Sequence, residues 1–189
     1  MVPLVKGNLA SLSSLCVVAV IGACGGAQHP QTTPHHLLPV GSMVPALSRV
    51  DHRGQVVDLQ AQVPTLVYFY PRDGTPGCTK EACTIRDAWE SYQLTGLRVI
   101  GVSADTEEEH RAFANEHGLP FSLIADPAHA WSDAFGVGTL NGKDARVSFL
   151  IDAGGHIVKV YENVDPGVHA AEVLQDTKAL GLAAPVVNK

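Results

Sequence analysis

Thr65-Leu66-Val67-Tyr68-Phe69-Tyr70-Pro71-Arg72-Asp73-Gly74-Thr75-Pro76-Gly77-Cys78-Thr79-Lys80-Glu81-Ala82-Cys83 changes its hydrophobic period part-way along. Thr65 to Tyr70 form a continuous β-prone, apolar run, the pattern of a strand buried on both faces. A helical pattern then runs from Pro76 to about Tyr92, with Thr75 as a suitable N-cap and Pro76 at the first helical position. A buried strand feeding a helix is the repeating unit of α/β folds, and open α/β sheets place their sites at that junction.

Outward from this stretch the same alternation continues. Upstream, Ala46 to Val50 and Val56 to Leu59 flank Asp51-His52-Arg53-Gly54 and read as a hairpin. Downstream come a second buried strand, Leu97 to Ser103, and a helix opened by Asp105 with Glu108 three residues on, closed by Gly118. Glu107, Glu108 and Glu109 then sit as acids on a favourable helix N-terminus. Later pieces are a strand at Ser122 to Ala125, a helix near Ala128 to Phe135, strands Arg146 to Asp152 and His156 to Val164, and a last helix from Val168 to Leu180. The order predicts a three-layer α/β sandwich with an N-terminal β-hairpin. Gly136-Val137-Gly138 follows no strand and lacks a third glycine, so it does not read as a nucleotide loop.

Composition narrows the function classes. With 189 residues, 46% of them apolar, the chain has enough apolar residues for one well-cored domain and is not disordered as a whole. A formal net charge of −6 offers no basic face for phosphates, which argues against a nucleic-acid partner. Four cysteines, at positions 16, 24, 78 and 83, are too few for a disulfide-dense scaffold.

Cys78 falls at the third helical position, where unpaired backbone N–H groups and the positive end of the helix dipole favour a thiolate. An ordinary thiol, with a pKa of about 8.5, is only a few per cent charged at neutral pH, and a helix N-terminus with nearby cations raises that fraction by roughly ten- to thirtyfold. Taken alone, Cys78 reads better as a buried structural residue at a helix start. Cys83 changes the balance: five residues along an α-helix, two Cα atoms lie about 8.7 Å apart, beyond the roughly 4.4 to 6.8 Å of a disulfide. The two bond only if the helix unwinds, which suits a redox switch better than a staple.

Pro71-x-x-x-Thr75-x-x-Cys78, with Cys83 five residues on, resembles the active-site motif of the Q-type (bacterioferritin comigratory protein) peroxiredoxins. These belong to the alkyl hydroperoxide reductase/thiol-specific antioxidant family. The similarity runs from about Gly41 to Leu182 and includes Val67-Tyr68-Phe69-Tyr70-Pro71 and Arg146-Val147-Ser148-Phe149-Leu150-Ile151-Asp152. It implies a thioredoxin-like fold, a central mixed sheet flanked by helices, and a thiol peroxidase acting on hydrogen peroxide and organic hydroperoxides. On that resemblance Cys78 is the peroxidatic nucleophile, Thr75 orients the peroxide and Arg146 keeps the thiolate charged and steadies the leaving oxygen. Pro71 shields the pocket, Cys83 resolves the sulfenic acid to an intrachain disulfide, and Glu81 supports the loop. The resemblance further implies a thioredoxin-like reductant, a monomer, and neither cofactor nor metal. Two other readings stand beside it: a thioredoxin-like thiol-disulfide oxidoreductase, against which the spacing C-x4-C stands, and a non-enzymatic lipoprotein with a structural disulfide, against which the helix geometry stands.

The N-terminus reads as an address. Lys6 precedes an apolar run densest from Leu15 to Ile21, too short to cross a hydrocarbon core, which takes about 20 residues. Ile21-Gly22-Ala23-Cys24 resembles a bacterial lipobox, which predicts a signal peptide over 1–23 and lipid on Cys24. A cleaved signal without lipid, leaving a soluble periplasmic protein, and an uncleaved anchor are the alternatives. Residues 24–44, rich in Gly, Pro, Gln, Thr and His, read as a flexible tether, and 45–189 as the domain. His35 and His36 have nothing nearby to complete a metal-ligand set. The predicted location is the cell envelope, facing the periplasm, with Gly25 after Cys24 favouring the outer membrane and an envelope dithiol carrier as the reductant.

Overall fold

The computed structural model describes residues 36–60 and 62–183; the predicted signal peptide, Cys16, Cys24, His35 and the first part of the predicted tether lie outside them. Strands β1 (Ser48–Val50) and β2 (Val56–Asp58) form the expected hairpin. Five strands make the central sheet: β3 (Thr65–Phe69), β4 (Arg98–Ser103), β5 (Ser122–Ala125), β8 (Val147–Ile151) and β9 (Ile157–Tyr161), in the order β5-β4-β3-β8-β9. β3, β4 and β5 run parallel, while β8 and β9 are antiparallel to their neighbours, so the sheet is mixed.

Alternation along β3 explains the layers. Leu66, Tyr68 and Tyr70 face a core shared with helices α1 (Pro76–Asp87), α2 (Trp89–Thr95), α3 (Glu107–His117) and α5 (His169–Ala179). Val67 and Phe69 face the other way, into a core with Trp131 and Phe135 of α4 (Ala130–Phe135) and with Val57 and Leu59 of the hairpin. Both faces are covered, as the continuous apolar run in β3 requires.

Four details differ from the sequence reading. The helix predicted from Pro76 to Tyr92 ends at Ala88 (φ −93°, ψ 9°) and restarts as α2, which buries Tyr92 and lets its hydroxyl donate to the Ala170 carbonyl. α3 is capped one residue later than predicted: Thr106 accepts from Glu109 N–H and Glu109 accepts from Thr106 N–H. Both Asp105 and Thr106 have a glutamate three residues on, and Asp105 is already engaged elsewhere, as described below. A two-residue hairpin, β6 (Thr139–Leu140) with β7 (Lys143–Asp144), was not anticipated; it turns through Asn141 and Gly142, both at positive φ.

The fourth is the tether boundary. Residues 36–44 pack on the domain: Leu38 N–H donates to Phe135 O, Gly41 N–H to Ile157 O and Val44 N–H to Gly155 O, while Ser42 O accepts from Ile157 N–H. The segment pairs with the start of β9 at Ile157, and Leu37 and Leu38 pack, partly buried, against the second core. Lack of apolar periodicity concealed this, because the attachment runs through backbone groups.

Candidate active site

β3 ends at Phe69, and the loop Tyr70–Thr75 carries the chain to α1, with Thr75 as N-cap and Pro76 at its first position. The Thr75 hydroxyl makes no capping bond; it donates to Arg72 O at 3.1 Å, which leaves its oxygen lone pairs free to accept. Cys78 therefore stands in the first turn, the residue only 2% exposed. Across the sheet, β8 pairs antiparallel with β3, which brings the residue before β8, Arg146, to the same end as the β3–α1 loop. Its Nη2 lies 3.1 Å from Cys78 Sγ and its Nη1 donates to Glu81 Oε2. A guanidinium donor at that distance, with the helix N-terminus behind it, favours a charged sulfur.

Glu81 is fully buried, and desolvation pushes its carboxyl up to about 7 although the Arg146 ion pair opposes the shift. Its Oε1 has no hydrogen-bond partner among the described residues. Gly77 is what admits the guanidinium: a Cβ there would lie 3.3 Å from Arg146 Nη2. Behind Arg146, His169 is buried against Tyr161 and bonded through Nε2 to Ser148 Oγ, and desolvation together with the nearby guanidinium lowers it to about 4.

A second cluster holds the loop. Tyr70 Oη donates to Asp73 Oδ1 (2.7 Å), His110 Nδ1 lies 2.7 Å from Asp73 Oδ2, and Asp73 N–H donates to Asp105 Oδ2 (2.8 Å). Asp105 also accepts from Ser103 Oγ and faces Arg72. Asp73, Asp105 and His110 place donor atoms within 4.8 Å of one another, a spacing a cation could use, but these groups are spent on Tyr70, Ser103, Arg72 and each other, so the cluster is built as a clamp.

Pro71, Thr75, Cys78 and Arg146 are thus gathered at one end of the sheet. Pro71 and Ala145 line a mostly apolar cavity of about 470 Å³ with Leu140 and Lys143 of the β6–β7 hairpin. Cys83 is on the same unbroken helix as Cys78, half-buried, and both thiols are free. Sequence reasoning underweighted Glu81 and missed Asp73, Asp105 and His110, whose clamp spans 37 positions and forms only through the β3–β4 pairing. Asn141-Gly142, a strong hairpin-turn pair, was the available signal for the cavity wall.

Residues 40–160 match the AhpC/TSA family. The chain belongs to that family. Peroxiredoxin Bcp of Bacillus subtilis is 39% identical over 150 residues, covering 75% of this chain and 96% of its own. Chloroplastic peroxiredoxin Q of Sedum lineare is 38% identical over 148 residues, 74% of this chain and 78% of its own. The crystal structure of peroxidoxin BcpB from Mycobacterium tuberculosis superposes with a TM-score of 0.71 at 27% identity, covering 77% of this chain and 99% of that one. The protein is a peroxiredoxin of the Q/Bcp branch with a thioredoxin-like fold, a thiol peroxidase and so an oxidoreductase.

Proposed function

We propose that Cys78 is the peroxidatic thiol and Cys83 the resolving one, on the strength of one observation above the rest: Arg146 Nη2 at 3.1 Å from a buried sulfur in the first turn of α1. The thiolate attacks one oxygen of the hydroperoxide, the O–O bond breaks, and Cys78 becomes a sulfenic acid while the leaving alkoxide or hydroxide takes up a proton. Arg146 steadies the charge as it passes from sulfur to oxygen. Thr75, with lone pairs to spare, accepts from the peroxide O–H, and Pro71 walls the pocket. The Cys83 thiol then condenses with the sulfenic acid, releasing water and forming a disulfide that a thioredoxin-like dithiol reduces. Because α1 holds the two cysteines too far apart to bond, its segment from Cys78 to about Arg86 unwinds in this step.

Stopped-flow mixing with stoichiometric hydrogen peroxide tests the assignment. The reduced chain should consume one equivalent and lose two thiols. Cys83→Ser should react once and stall as sulfenic acid; fast consumption surviving in Cys78→Ser sinks the reading. Amide exchange should accelerate from Cys78 to Arg86 on oxidation, and equal protection in both redox forms refutes the unwinding.

For its location, the Ile21-Gly22-Ala23-Cys24 pattern supports a lipoprotein anchored through Cys24 in the cell envelope, on the periplasmic side and preferentially in the outer membrane, with an envelope dithiol carrier as reductant. An intact mass of the mature protein should include the lipid, and Cys24→Ser should leave the membrane fraction. The protein acts as a monomer in this reading, which sedimentation of the reduced form checks.

A further inference from the structure

Three residues apart on α1, Cys78 and Glu81 lie on one face of the helix, one turn from each other, and both are buried. Arg146 serves both with one guanidinium: Nη2 contacts Cys78 Sγ and Nη1 contacts Glu81 Oε2. The other titratable groups facing them are Tyr68 from β3, Tyr92 from α2 and His169 from α5. Burial and the neighbouring Glu81 carboxylate raise both phenols, which stay neutral, and His169, lowered to about 4, is neutral too. Among the described residues, two acids therefore share one contacting cation.

Resting on Cys78 as the peroxide-reactive thiol, we propose that Cys78 and Glu81 hold a single exchangeable proton between them over Arg146. Glu81 is then protonated while the sulfur is charged, and ionises as the sulfur is oxidised. Charging both acids would leave one uncompensated negative charge in a buried site. The carboxylate would also expose an anionic Oε1 to surroundings with no donor for it among the described residues. The carboxyl, poised at about 7 with Arg146 in place, can change state over a small change in its neighbour's charge.

The step balances within the site. Cys78 thiolate, protonated Glu81 and the hydroperoxide give Cys78 sulfenic acid, Glu81 carboxylate and the alcohol or water. The S–O bond forms and the O–O bond breaks, sulfur loses two electrons to oxygen, and the proton on Glu81 ends on the leaving oxygen. Arg146, released by the sulfur, is left to the new carboxylate. Glu81 supplies that proton from beside Arg146, the group it contacts.

The test uses the Cys83→Ser chain, which stops after one peroxide. Mixed with hydrogen peroxide in weakly buffered indicator at neutral pH, it should take up almost no proton from solvent, whereas Cys83→Ser/Glu81→Gln should take up about one per peroxide. If Glu81 merely holds Arg146 in place, Glu81→Gln lowers the rate equally at every pH with no change in proton uptake, and the proposal is overturned. Should the Gln chain not fold, the infrared carboxyl signal of Glu81 in Cys83→Ser decides. Near pH 6.5 it should pass from protonated to ionised on peroxide addition, and one unchanged state overturns the proposal. Absence of peroxide consumption in the Cys83→Ser chain would overturn the assignment of Cys78 itself. Alkylating Cys78 separates that failure, because a shared proton still moves the carboxyl signal.

Discussion

The first two turns of α1 meet Arg146 through two side chains, Cys78 and Glu81, and the loop leading into the helix is tied to α3 by Tyr70, Asp73, Asp105 and His110. The later turns are held otherwise. Thr84 Oγ1 reaches Pro166 O at 3.1 Å, Arg86 Nη1 reaches His117 O, and Cys83 is half-buried. The entrance is fixed by buried polar groups bonded to one another, and the exit, apart from the buried Ile85, by bonds from Thr84 and Arg86 to backbone carbonyls. A nucleophile needs a fixed frame, and a resolving thiol needs a segment that opens at little cost; one helix supplies both because its two halves are anchored so differently.

Arg146→Gln attacks the firm half at its centre. It removes the donor beside the sulfur and leaves Glu81 buried without its cation. The rate constant for peroxide consumption should fall about 100- to 1000-fold, in the range for losing one preorganised donor. A loss under tenfold would mean that the helix N-terminus alone sustains the nucleophile.

Acid should also act on this half through His169. Its folded value of about 4 lies below the ordinary 6.5, so the neutral ring stabilises the fold fully above 6.5, and that contribution is lost as the pH falls from there towards 4. The loss over this range is about 3 kcal/mol at most. Urea unfolding at several pH values should show His169→Gln less stable at neutral pH but flatter between pH 6.5 and 4 than the natural chain.

What the sequence made legible follows the same division. Strand β3, Thr75 as N-cap and Cys78 in the first turn were readable because period, cap and proline agree within a dozen positions. The Asp73–His110 and Asp105 contacts were not, since parallel pairing of β3 and β4 is what makes distant residues neighbours. Glu81 was visible as an acid one turn past Cys78, yet whether it faces solvent or Arg146 depends on which side of α1 the sheet covers. Residues 36–44 and the β6–β7 hairpin escaped for a further reason: they attach by backbone bonds and a tight turn, neither of which leaves an apolar period.

Two substitutions compare the halves directly. Asp73→Ala leaves Tyr70 Oη and His110 Nδ1 buried without their acceptor and should cost about 2 to 3 kcal/mol in stability. Thr84→Val removes a hydroxyl shared between Glu81 O (2.8 Å) and Pro166 O (3.1 Å) at a part-exposed position and should cost about 1 kcal/mol or less. The second should also speed disulfide formation after peroxide, because the exit of α1 opens more readily, whereas the first should not. If Thr84→Val is the costlier change, the contrast between the two ends is wrong.

Gly77→Ala probes the firm half most gently. Gly77 is helical, so no strained backbone is involved, and alanine is the better helix former by about 1 kcal/mol. The added methyl, however, would lie 3.3 Å from Arg146 Nη2 and 3.9 Å from Pro166 Cγ, so the guanidinium must yield by a few tenths of an ångström. Propensity and crowding therefore pull apart: thermal stability should change little, while the peroxide rate constant should fall about three- to tenfold, as a small displacement of a catalytic donor costs rate. Measured together, an unchanged melting temperature with a slowed peroxide step locates the effect at Arg146. A chain equally fast and more stable would show that the guanidinium has more freedom than its two bonds suggest.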